Sequence, residues 1–288
     1  MSTITRRRGA DAPGPPPPRP SRARATGLHG GRTAAILRRL VVYVYPFALG
    51  FVVWDLLARF DVLGNEFVFP SPQRVYEAAR ASAGAGELGR QTGITVREVV
   101  SAYLLALATG ILVGTAIGRI RVVEHLLRPV ASFLFPTPKI ALYPAMLIVF
   151  GLGSASKIAF GFAEALFPVL LATAAATSQV EPRLLWSASA LGTPQHRAFT
   201  KVVIPAALPG ILTGARIGLV GALIGVFLGE MIAGAGGLGQ MMAASYRTLH
   251  TADMYVAILC VSLIGFGFDR VFLTLRGRLL AWSPEEGR

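Results

Sequence analysis

A single cysteine, Cys260, in a chain of 288 residues excludes a disulfide framework and a thiolate metal cluster, and its position inside an apolar stretch assigns it to packing. Charge is scarce too. Asp, Glu, Lys and Arg make up 15% of the residues, against about 25% in an ordinary soluble domain, so this composition cannot clothe a water-soluble surface. No GxxxxGK[ST] phosphate loop, HExxH pair or GxSxG elbow occurs; the chain has no visible means of hydrolysing a nucleotide, holding a catalytic zinc or activating a serine. His29, His125, His196 and His250 lie far apart in different loops, without ligand spacing. Neither a metal nor a cofactor is expected.

Acidic residues are the scarcer sign, 15 against 28 basic, for a formal net charge of +13. A nucleic-acid groove would need those bases clustered on a folded polar face with interleaved aromatics, and no such cluster exists. Nine of the 28 fall before Leu40, in a segment that also carries Gly14 and Pro15 to Pro18. Residues 1–36 therefore read as a disordered basic tail, residues 37–281 as the folded body, and residues 282–288 as a short C-terminal tail. The first apolar run begins only near Leu40, too far from the terminus for a signal peptide, and reads as a retained span.

What the chain has in abundance is apolar surface: 53% of its residues are apolar and its mean hydropathy is +0.57. Six stretches are long enough to cross about 30 Å of hydrocarbon as helices: roughly Leu40 to Leu57, Val99 to Gly118, Ser132 to Leu152, Ile158 to Thr177, Leu208 to Gly229 and Met254 to Leu275. The expected fold is an all-α integral membrane protein of about six helices. Eighteen Lys and Arg residues fall on one side of these spans and seven on the other, which places both termini in the cytoplasm.

Between the first two stretches, Val75, Ala78, Ala79 and Ala83 recur at helical spacing after Pro70 and Pro72, as expected of an interfacial helix. Pro136, Pro138 and Pro144 disfavour a straight third span; it either lines a pathway or kinks for packing. Glycines at 210, 214, 218, 221, 225 and 229 share one face of the fifth span, and Gly110, Gly114 and Gly118 repeat the device in the second, so close helix contacts are expected. Gly234, Gly236 and Gly239 satisfy GxGxxG, but they follow a membrane span instead of a strand. They read as a flexible outer loop.

The most informative segment is EPRLLWSASALGTPQHRAFTKVVIPAALPG, residues 181–210. Pro182 is suited to a first helical turn, Leu184, Leu185, Ala188 and Leu191 form an apolar face, and Gly192 can stop the helix in a left-handed conformation. Thr193 is placed to cap a second helix with Pro194 in its first turn, and Pro205 and Pro209 to end that helix before the fifth span. The expectation is a helix-turn-helix across the cytoplasmic face.

Here the chain resembles the permease subunits of bacterial ATP-binding-cassette (ABC) importers, whose signature is EAA, three residues, Gly, nine residues, Ile, one residue, Leu-Pro. Gly192 is followed after nine residues by Val202, then Val203, Ile204 and Pro205, without a gap. The signature's Glu, Ala and Ala fall on Trp186, Ser187 and Ala188, of which only Ala188 agrees. In the family this loop docks into a cleft on the ATPase; Trp186 in place of the acid offers aromatic area instead. FPSPQRV, FGLGSASKI, EPRLL and GEMIAGAGGLG resemble landmarks of the nitrate, sulfonate and taurine subgroup, and the resemblance runs from about Leu40 to Ala281.

It implies a homodimer in the bacterial inner membrane, two copies of a separate ATPase gripping loop 181–205, and an extracytoplasmic binding protein that selects the solute from among nitrate, sulfonates, taurine and small heterocycles. Catalysis would belong to the partner, leaving this chain a mechanical gate. The rival is a secondary transporter, which needs ionisable residues at membrane depth. Glu164 is one, and Asp55, Lys139, Arg216 and Asp269 lie near span ends. Glu164 has three readings: an ion pair with Lys139 or Arg216, a hydrated pathway contact to solute, or a protonated carboxyl bonded to a neighbouring helix. Pro136, Lys139, Pro144, Glu164 and Arg216 are the candidate pathway residues.

Overall fold

The computed structural model describes residues 45, 46, 48–60 and 69–282, so the basic tail, the start of the first apolar stretch and residues 283–288 lie outside the described residues. The chain divides into two compact units, Met1–Val53 and Trp54–Arg288. In the first, the described residues are helical. In the second, helix occupies residues 54–59 (α1), Pro72–Gly84 (α2), Glu87–Arg119 (α3), Arg121–Leu134 (α4), Tyr143–Phe150 (α5), Ser154–Ser178 (α6), Pro182–Ala190 (α7), Gln195–Ala198 (α8), Ile204–Ala233 (α9), Leu238–Arg247 (α10) and Thr251–Leu279 (α11). Among the described residues α3, α6, the run Gln195–Ala233 and α11 are each long and apolar enough to cross a bilayer, and the bent pair of α4 with Lys139–Phe150 passes the same test when its two arms are taken together.

At the centre stands α6, which makes its most extensive contacts with α9 on one side and α3 on the other. Both contacts run along the glycine stripes. A β-carbon at Gly114 would stand 2.5 Å from the Leu170 carbonyl oxygen, and one at Gly214 would stand 2.3 Å from Ala172 Cβ; neither helix can carry a side chain there without moving away from α6. Val99, Ala102 and Ala106 of α3, Ala165 of α6, and Ala222 and Val226 of α9 fill the seam. Where lipid tails are as apolar as the interior, such close packing is what holds helices together.

The second core joins α2, α10 and α11. Ser71 caps α2 by accepting from the Arg74 N–H, with Pro72 in the first turn, and the helix turns Val75 onto Leu238, Met241, Val256 and Ala257. Cys260 borders this cluster. Trp54 stacks on Tyr255 with ring centroids 5.9 Å apart and donates its indole N–H to the Pro70 carbonyl at 3.1 Å.

Several boundaries differ from expectation, each for a physical reason. Helix α3 starts at Glu87, three turns before Val99, because Gln91, Thr95 and Glu98 are buried in the helix contact instead of facing water. The third stretch is not one helix: α4 begins at Arg121, the chain breaks at Phe135 to Pro138, a 3-10 turn covers Lys139–Leu142, and the two arms meet at 93°. Proline chemistry contributes to that break, since neither Pro136 nor Pro138 has a backbone N–H with which to continue the helical hydrogen-bond ladder. Pro205 and Pro209, by contrast, end nothing. A π-helical turn over Phe199–Val203 runs directly into α9, and its wider winding accommodates the proline ring within one continuous run, Gln195–Ala233.

Candidate functional site

The loop between α6 and α9 is built around one residue. Gly192 has φ +72°, the left-handed region in which a side chain costs about 1 kcal/mol or more. Around it the Thr193 N–H donates to the Ala188 carbonyl and the Gly192 N–H to the Ser189 carbonyl, both at 3.0 Å, which is the Schellman arrangement that satisfies the last carbonyls of a helix. Thr193 does not cap the next helix as expected, because α8 begins at Gln195, one residue later than a Thr193 cap requires. Pro194, extended at ψ 151°, is the residue before α8, without a side-chain cap.

This turn sorts the apolar residues of α7 into two sets. Ala188 is buried, and Leu185 packs with Phe199 against Val180, Val203, Ala207 and Ile211. Trp186, at 69% exposure, and Leu191, at 85%, face outward with Leu184. The single apolar face expected from the sequence is thus divided between an anchor and a display. Ser187 is exposed and accepts from the Leu191 N–H, while Val202, Ile204 and Pro205 are half-buried in the π turn and the first turn of α9. A cavity of about 440 Å³ lies under the loop, lined by Arg119, Leu185, Ser189, Thr193, Gln195 and Phe199 among others.

Of the candidate pathway residues, Lys139 and Glu164 are brought together. Lys139 Nζ lies 3.4 Å from Glu164 Oε2, donates to the Phe135 carbonyl at 3.3 Å and stands 5.6 Å above the Phe167 ring. Arg216 is not part of this group. Its guanidinium grips both oxygens of Asp269 on α11, at 2.7 and 3.1 Å. Pro136 and Pro144 are exposed on either side of the 3-10 turn that carries Lys139.

A third polar cluster was not singled out from sequence. Lys157 and Glu98, both at zero exposure, pair at 2.9 Å between α6 and α3. Lys157 also donates to the carbonyls of Ala235 and Gly236, at 3.3 and 3.1 Å. From the facing side, Glu230 accepts from Thr95 Oγ1 at 2.7 Å and from the Gly239 N–H at 2.8 Å, while Gln91 and Thr95 accept from the N–H groups of Gly237 and Leu238. The GAGGLG segment, expected to be flexible, is therefore pinned through its own backbone to α3, α6 and α9. Gly237, at φ +100°, sits where a β-carbon would stand 2.1 Å from the Glu230 carboxyl carbon. In the sequence Lys157 merely flanks an apolar run. Its partner lies on another helix, and only tertiary structure reveals that.

Comparison with known proteins places this architecture. Residues 106–280 match the family model of the binding-protein-dependent transport system inner membrane component. An ABC transporter permease protein of Methanocaldococcus jannaschii is 33% identical over 85% of this chain and 93% of its own length. The taurine transport system permease protein TauC of Escherichia coli is 29% identical over 86% and 92%. In structure, the MetNI methionine ABC transporter, in an inward-facing conformation, aligns with a TM-score of 0.52 at 20% identity over 64% of this chain and 94% of that one, a likeness of fold. The chain belongs to the binding-protein-dependent transport system inner membrane components: it is a multi-pass inner-membrane permease of an ABC importer, built to work with a solute-binding protein and with an ATPase that is a separate subunit.

Proposed function

We propose that two copies of this chain enclose the pathway for a small solute, in the range of nitrate, sulfonates, taurine and small heterocycles, and that loop 181–205 couples each copy to one of two ATPase subunits. Both termini and the loop lie on the cytoplasmic side, while the segment around α10 faces the binding protein. Trp186, Ser187, Ala188, Gly192, Val202, Ile204 and Pro205 form the coupling element; Pro136, Lys139, Pro144, Glu164 and Arg216 line the pathway. The observation that carries this reading is the divided loop. Leu185 and Ala188 fix α7 to the bundle, and Gly192 presents Trp186 and Leu191 outward, a display of apolar area that water disfavours and a partner cleft would bury. Pushing on α7 and α8 moves a helical run that continues unbroken to Ala233, so motion at the loop reaches the pathway by rigid-body transfer.

The test is reconstitution in proteoliposomes with the cognate ATPase and binding protein. Uptake that requires ATP and both partners is the expected result. Uptake driven by an ion gradient without them would overturn the proposal in favour of a secondary transporter.

A further inference from the structure

Among the described residues, three ion pairs join different helical segments, and they differ in kind. Lys157–Glu98 is sealed, at zero exposure on both sides. Arg216–Asp269 is bidentate, which fixes its geometry. Lys139–Glu164 is neither. Its 3.4 Å separation is the longest of the three, beyond the usual range of a charge-assisted hydrogen bond, and its side chains are 11% and 26% exposed.

The position of the pair is also distinctive. Glu164 lies near the middle of α6, the central helix. Lys139 lies on the 3-10 turn where the α4–α5 pair bends by 93°, and irregular backbone at membrane depth is tolerated where it lines a cavity or is enclosed by protein. The Lys139 ammonium carries three donors, of which the Phe135 carbonyl and Glu164 Oε2 take two. Among the described residues, nothing else hydrogen-bonds the Glu164 carboxylate.

We infer that the Lys139–Glu164 pair is a solute-handling site for small zwitterions, molecules with an acid and an amine on a short spacer. The inference rests on the pathway reading above. A zwitterion can insert in series, its acid on the remaining Lys139 donor and its ammonium on the open Glu164 oxygen, so that no charge is left unpaired while the native pair loosens. A simple anion would have to displace Glu164 from Lys139 and face it uncompensated, and a simple cation would face Lys139. The loose, partly open geometry is what such an exchange requires; a sealed or bidentate pair would resist it.

The test uses the purified permease–ATPase complex without its binding protein, so that recognition by this chain alone is read. Ligand-observed NMR would measure binding of taurine and β-alanine, and of isethionate and propionate, which keep the acid and lack the amine. Saturable binding of a zwitterion, at least tenfold tighter than its matched anion, is expected. Lys139→Gln and Glu164→Gln should each weaken zwitterion binding at least tenfold in a complex that still co-purifies with the ATPase, while Lys139→Arg with Glu164→Asp retains it. Equal binding of zwitterion and anion, no saturable zwitterion binding, or Glu164→Gln binding like wild type would each overturn the assignment. Failure of wild type to co-purify with the ATPase would instead count against the coupling reading.

Discussion

Lys157 and Glu98 illustrate what a buried charge demands of its surroundings. Removing one member of a sealed pair strands the other, at a cost of about 3–5 kcal/mol, whereas replacing both by neutral groups of similar size is often nearly neutral. Lys157→Met should therefore lower the unfolding temperature in detergent by several degrees and release the Ala235 and Gly236 carbonyls. Glu98→Gln combined with Lys157→Met should recover most of that loss. A double variant no more stable than Lys157→Met would show that the Lys157 bonds to the loop, and not its pairing with Glu98, hold the site together. Sequence alone showed Gly192 clearly, because a helix stop is a local event written in adjacent residues. It did not show this pair, because Glu98 and Lys157 each flank an apolar run and charges in that position are ordinarily solvated.

At the scale of elements, the glycine stripes were legible as a spacing, and the structure supplies what lies opposite them: α6, on both sides. The consequence can be measured. Gly114→Val puts a β-carbon 2.5 Å from a backbone oxygen, whereas a β-carbon at Gly267, on α11, would meet nothing within 4 Å. The first should cut the yield of monodisperse protein severalfold, and Gly267→Ala should leave it within the scatter of wild type. Similar losses from both would mean that the stripe is not a close contact. The coupling loop makes a separate prediction. Gly192→Val strains only the turn between α7 and α8, which lies outside the packed seam, so the variant should fold and insert yet co-purify poorly with the ATPase and lose solute-stimulated ATP hydrolysis. Trp186→Ala should weaken the same association by removing exposed aromatic area. A Gly192→Val complex that assembles and hydrolyses ATP normally would show that α7 and α8 are not the coupling element. Where the sequence reading of elements failed, proline was the reason: the same residue type breaks the chain at Pro136 and Pro138 and is absorbed by a π turn before Pro205.

For the whole molecule, orientation is the property on which the other assignments depend, and it rests on charge asymmetry. Basic residues tend to be retained on the cytoplasmic side, so the proposed orientation has loop 181–205 inside and the α10 region outside. Thiol labelling tests this in intact cells, once Cys260 is replaced by Ala to remove the background. The choice of positions matters, because Ser245, which sequence alone would offer as an outer-loop site, is 9% exposed, whereas Tyr246 beside it is 67% exposed. Tyr246→Cys should react with an impermeant maleimide added to whole cells. Gln195→Cys, exposed at the start of α8, should react only after the membrane is opened. Gln195 begins the run Gln195–Ala233 and Tyr246 lies on α10, after that run in sequence, so in the proposed topology one crossing of the membrane separates them. Labelling of both from outside would remove that crossing, and the reverse pattern would put the Trp186 display on the face that meets the binding protein. Either result would leave the ATPase without its docking loop, and the coupling assignment would fall with the topology.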